Sequence, residues 1–188
     1  MGTGERPLRA DAQRNREQIL AAASRAFSTC GLEATLEGIA KDAGVGIGTL
    51  YRHFPTRELL IEAAYRSELA AICDAAPVLL DTMPPAEALR AWMDRYIDYM
   101  TRKLGMADAL RAVIASGANP YAQSFELLVG AIKPFLDAGA ASGDLRSDVS
   151  ADDVLVSISG VALATGKNRD QADRALNLLM DGLRYRSS

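Results

Sequence analysis

Histidine is nearly missing from this 188-residue chain, which holds one, and cysteine is scarce at two. A lone imidazole, His53, cannot build a His-based metal cluster, and a His-dependent relay has nowhere else to sit. Cys30 and Cys73 are isolated singles rather than a CxxC pair, so neither a zinc knuckle nor a disulfide scaffold is indicated. No uninterrupted apolar run approaches the roughly 18 residues of a membrane span. The uncharged stretch Val154–Thr165 is too short, and Met1–Asp11 lacks the apolar core of a signal peptide. No nucleophile elbow, ligand set or acid–base pair stands out. Gly44-Val45-Gly46-Ile47-Gly48 has helical flanks where a phosphate loop needs a strand, and Asp152-Asp153 suits a helix N-terminus. The expectation is a soluble, cytoplasmic protein that is not an enzyme, with no catalytic residue, metal, cofactor or membrane partner.

What is present argues for a packed core. Hydrophobic residues make up 49% and charged residues 24%, which excludes a disordered chain. The net charge of −3 is unevenly placed. Residues 1–60 carry eight Lys/Arg against seven Asp/Glu, whereas the remaining 128 carry 13 against 17. A slightly basic N-terminal module joined to an acidic body fits that asymmetry, and we expect domains at 1–60 and 61–188.

Apolar residues recur at helical spacing throughout, and nothing alternates with period two, so the fold is expected to be all-α with about nine helices. Ile19, Ala23, Ala26, Phe27 and Cys30 stripe the first helix, which Gly31 stops. Thr35 opens a short helix closed at Gly44, and a second runs from Ile47 to Phe54 before Pro55. Thr56 caps a fourth helix ending near Asp74, with Pro77 and Pro84-Pro85 in the following loop. Further helices are expected over about 85–103, 106–116, from Pro120 (kinked at Pro134), after Ser150, and over 169–184.

The short pair carries the functional signal. Ala40 allows two helices to cross closely, and Gly44, four residues later, tolerates a tight turn. Ile39, Ala43, Val45, Leu50 and Phe54 point inward, which leaves Ile47, Gly48, Thr49, Tyr51, Arg52 and His53 on the outer side of the second helix. Small and polar groups with flanking aromatic and basic ones suit a helix that enters a major groove. Arg14 and Arg16 sit where the first helix begins and suit phosphate, while Arg6 and Arg9 read equally as an arm or a solvated tail. His53 alone reads as a phosphate contact or as a core or capping histidine.

These residues resemble the TetR/AcrR family of bacterial transcriptional regulators. The likeness rests on Ala26-Phe27…Gly31, Thr35, Ile39-Ala40…Ala43-Gly44-Val45, Gly48-Thr49-Leu50-Tyr51-Arg52-His53-Phe54 and Arg57-Glu58-Leu59, and covers about residues 14–62. It implies a homodimer on double-stranded DNA, one recognition helix per subunit in successive grooves of a palindromic operator. It also implies phosphate contacts from Thr35, Tyr51, His53 and Arg57, with Gly48 and Thr49 near bases or backbone and Arg52 reading bases. Arg57 stands where the family often has Lys, and Gly46 replaces a capping Ser.

Six of the eleven aromatics lie between residues 92 and 135. A Met- and aromatic-rich stripe reads as plain core or as the lining of a small-molecule site. The resemblance implies the second, with Trp92, Met93, Tyr96, Met100, Leu110, Phe125, Val129 and Ile132 around a hydrophobic or amphipathic effector. The uncharged helix at Val154–Thr165 and the Leu stripe of the last helix read as an internal core or as a two-fold dimer face, and we expect a homodimer through these last two helices. The function expected is a ligand-relieved repressor. The alternative is a helical small-molecule-binding protein or enzyme that has lost DNA recognition.

Overall fold

A computed structural model describes the backbone of residues 5–184 and the side chains from residue 10; the Arg6 and Arg9 side chains lie outside the described residues. Within that range the chain is all-α: α1 (Glu5–Cys30), a 3-10 turn (Gly31–Glu33), α2 (Leu36–Asp42), α3 (Ile47–His53), α4 (Arg57–Thr82), α5 (Pro85–Gly105), α6 (Ala107–Ala115), α7 (Ser124–Ser142), α8 (Ala151–Thr165) and α9 (Arg169–Leu183). The chain packs as two units, one through Glu68 plus Arg102–Pro120, the other Leu69–Thr101 plus the part from Tyr121 onward. The boundary expected near residue 60 therefore falls inside α4, which supplies residues to both.

The first unit is built on α1. Ile19, Ala22, Ala23 and Phe27 are fully buried, and Ile39 and Ala40 of α2, Leu50 of α3 and Leu60 and Ile61 of α4 are buried with them. Glu68 of α4 joins three helices: its carboxylate accepts from Ser24 of α1 and from Arg102 Nε of α5, both at 2.6 Å. The end of α5 also meets α1 backbone to backbone. A Cβ added at Gly105 would lie 2.2 Å from the Ser28 carbonyl oxygen, so only glycine allows this approach.

In the second unit Leu89, Trp92 and Met93 of α5, Ile132 and Phe135 of α7, Ile158 of α8 and Leu176 of α9 are buried without exposed area. Arg169 reaches Asp98 at 2.8 Å, and Arg90 pairs with Asp94 at 2.6 Å and with Asp173, which ties α9 to α5. The Arg146 N–H donates to Leu183 O at 2.9 Å and holds the α7–α8 loop against the end of α9.

Two expected boundaries move. Pro77 lies inside α4 rather than in a loop. Buried Ala75, Ala76 and Leu79 keep this stretch helical against the roughly 3 kcal/mol that an interior proline costs. The start expected at Asn119-Pro120 is instead a turn over residues 120–123, and α7 begins at Ser124 after Gln123, whose φ is 62°. Pro134 lies within α7.

Gly105→Ala should lower unfolding free energy by about 1–3 kcal/mol through overpacking. Gly130→Ala, at a helical site where a Cβ meets nothing within 4 Å, should raise it by up to about 1 kcal/mol. Urea unfolding of the two variants measures both signs.

Candidate nucleic-acid interface

Thr35 initiates the helix pair: its extended backbone leads into α2 and its hydroxyl accepts from Gly38 N–H at 3.1 Å. A Cβ at Gly38 would sit 2.9 Å from that hydroxyl oxygen, so the glycine that weakens α2 as a helix former also leaves its cap uncrowded. Gly44 ends α2 with φ 67°. Gly44 N–H donates to Lys41 O and Val45 N–H to Ala40 O, each at 3.0 Å, the paired bonds of a Schellman cap. Only Gly46 separates Val45 from α3, and Gly46 offers no side-chain cap.

That short connection fixes how α3 is turned. Leu50 and Phe54 are buried, whereas Ile47, Gly48, Tyr51 and Arg52 are exposed, with Tyr51 at 45%. Thr49 and His53, one turn apart, are half-buried along the edge of that face. The His53 ring tilts against Phe54 at 6.2 Å. Arg14 is exposed on α1, and the exposed Arg16 holds its guanidinium 5.4 Å from the Phe54 ring centre in a cation–π contact. Arg57 differs from its neighbours. Its Nη1 donates to Ala34 O at 2.6 Å and Nη2 to Leu32 O at 2.8 Å, over the Phe27 ring at 5.1 Å. The phosphate role expected of it competes with two carbonyl bonds already made.

The residues expected to line an effector site are distributed differently. Trp92, Met93, Tyr96, Met100 and Ile132 are buried in the second unit. Trp92 stacks on Tyr96 at 5.5 Å, meets Phe135 at 6.2 Å and donates its indole N–H to Ile72 O at 2.9 Å. Leu110 is buried in the first unit's core. Phe125 is 50% exposed and Val129 half-buried. The buried face of α7 runs through Ser124, Leu128, Ala131, Ile132 and Phe135, and Phe125 lies at its edge. A cleft of about 730 Å³ lies elsewhere, lined by polar groups such as Arg146, Asp148 and Asp181. Hydrogen bonding from Arg146 holds the Asp148 carboxyl at about 2, so that pair stays ionised across the neutral range. Burial and nearby Asp74 push the Cys73 thiol up, which leaves it an inert donor to Leu127 O. No group of three or more His, Cys, Asp or Glu suited to a metal occurs among the described residues, and no helix there is long and apolar enough to cross a membrane.

A short helix pair with one helix turned outward, set on a longer first helix, makes this a helix-turn-helix protein. The family comparisons agree with that class. Residues 19–64 match the model of bacterial regulatory proteins of the tetR family, and residues 84–185 match the SbtR-like transcriptional regulator C-terminal domain. A TetR transcriptional regulator of Streptomyces coelicolor is 57% identical, with 92% of this chain and 99% of that one covered and a TM-score of 0.89. A TetR regulator of Mycobacterium vanbaalenii is 31% identical over 95% and 100% of the two chains, with a TM-score of 0.80. A curated helix-turn-helix transcriptional regulator of Staphylococcus aureus is 46% identical over 48 residues, which span 25% of this chain and only 26% of that relative. The chain belongs to the TetR family of transcriptional regulators.

Loss of the α2 cap should be measurable alone. Thr35→Ala is expected to cost about 1 kcal/mol of stability and Thr35→Ser much less, because serine keeps the acceptor. Thermal unfolding of the pair checks it.

Proposed function

We propose that this chain is a homodimeric, ligand-responsive repressor that seats α3 of each subunit in successive major grooves of a palindromic operator. The observation that carries the reading is the split of α3, with Leu50 and Phe54 sealed inside and Ile47, Tyr51 and Arg52 turned to solvent. A seven-residue helix whose outer face spends no side chain on packing suits base and phosphate contact. In this reading Arg52 reads a base edge, and Gly48 and Thr49 lie close to the duplex. Tyr51, His53, Thr35, Arg14 and Arg16 hold phosphates. Repression would end when a small hydrophobic or amphipathic effector in the second unit favours a dimer geometry whose half-site spacing misses the operator, with α4, unbroken from Arg57 to Thr82, as the route.

Dimerisation through the last two helices draws support from their outer faces. Val156 and Leu163 on α8 are 64% and 61% exposed, and Leu178 on α9 is 74% exposed. Val156, Gly160 and Leu163 follow helical spacing, and nothing lies within 4 Å of where a Cβ at Gly160 would stand. Large apolar side chains so exposed along one stripe suit burial against a second copy.

Selection of bound duplexes from a randomised pool tests this directly. The expected product is a palindrome with half-site centres about 10 bp apart or a multiple of that. Recovery of no enriched sequence at low salt would defeat the reading. Arg52→Ala should relax specificity at one symmetric position and cost about 1–3 kcal/mol per contact. Leu178→Glu should yield monomers in analytical ultracentrifugation and weaken operator binding by about a hundredfold or more, as two linked contacts become one.

A further inference from the structure

We propose that Arg57 is a positioning residue that sets where α2 begins, and through it how α3 is presented, instead of a phosphate clamp. The α1–α2 connection is five residues, Gly31 to Thr35, and its carbonyls at Leu32 and Ala34 accept from the guanidinium of Arg57 at 2.8 and 2.6 Å. The face of the same group covers Phe27, itself fully buried. Three contacts from one rigid plane therefore fix the end of α1 relative to the residue immediately before Thr35. Thr35 then caps α2 through Gly38, and the Schellman turn at Gly44 passes that orientation to α3.

The chemistry needs arginine. A guanidinium presents parallel N–H donors in a fixed fork and a flat apolar face, whereas a lysine ammonium is a compact point charge that cannot bridge two carbonyls and stack at once. A lysine ammonium still serves as a phosphate clamp, as a point charge. The two roles therefore make opposite forecasts for Arg57→Lys.

The DNA half of the test rests on the proposed function, so it is paired with one that does not. In hydrogen exchange of the full-length protein, measured well below each variant's melting temperature, the amides of Gly38 and Ile39, which donate to Thr35, should lose protection about tenfold in Arg57→Lys as in Arg57→Ala. Arg57→Gln stands in should the alanine variant not fold. On a duplex enriched from the random pool, both variants should bind about tenfold more weakly with an unchanged slope of log affinity against log salt. Wild-type protection and affinity in Arg57→Lys would overturn the proposal. So would an alanine variant whose salt slope falls by about 1.8 per dimer, since each lost phosphate contact removes about 0.9. A lowered melting temperature with unchanged affinity and exchange would reduce Arg57 to a stability contact and overturn it as well. Failure to enrich any duplex would defeat the DNA reading while the exchange measurement still decides Arg57.

Discussion

Helices of seven residues do not persist alone in water, because nucleation fixes several residues before any hydrogen bond is returned. Both α2 and α3 have that length, so their existence depends on the apolar face that α1 offers. Ile19, Ala23 and Phe27 meet this need over two full turns, and Ile39, Ala40, Leu50 and Phe54 are the residues that use it. The remainder of the unit follows from keeping that face covered. Glu68 anchors α1 to α4 and α5, Gly105 lets α5 approach α1 to backbone contact, and two guanidiniums cover the Phe27 and Phe54 rings.

The same constraint explains why the outer face of α3 is chemically free. With one side of a two-turn helix committed to the core, the other carries no packing duty, so Tyr51 and Arg52 need satisfy no protein partner. The module is also nearly neutral, with eight basic against seven acidic residues in the first 60. Few phosphates are then neutralised per subunit, and tight operator binding on the proposed reading comes from two linked half-sites rather than from bulk charge.

Legibility from sequence followed the range of the interaction. Thr35, Gly44, Thr56 and Ser150 act within four residues of themselves, and each was readable as a cap or stop. The inward set of α3 was readable because helical period needs no partner to be known. Gly105 looked ordinary, since its reason is Ser28, far along the chain. Sequence shows Arg57 as a charge, and its bonds to the Leu32 and Ala34 carbonyls and its place over Phe27 depend on residues more than twenty positions away. Pro77 carried a true local penalty that distant burial overrode. Phe125 lies about 100° around α7 from buried Ser124, at the edge of the buried face, and its 50% exposure depends on what that edge packs against rather than on helical period.

The second unit bears on how an effector would act. Trp92, Tyr96 and Phe135 are in ring contact, and the Tyr96 hydroxyl lies 2.7 Å from Ser159 Oγ on α8. A small apolar molecule that entered among these groups would have to part them, and close-packed interiors respond to such wedges by discrete rearrangement rather than by gradual yielding. The cost of opening then falls on the packed state and is absent in the opened one, which gives the ligand different affinities for the two. That difference is what an allosteric ligand requires. Because Tyr96 touches α8, one of the helices with an exposed apolar stripe, a rearrangement here would reach the proposed dimer face within a single side-chain contact.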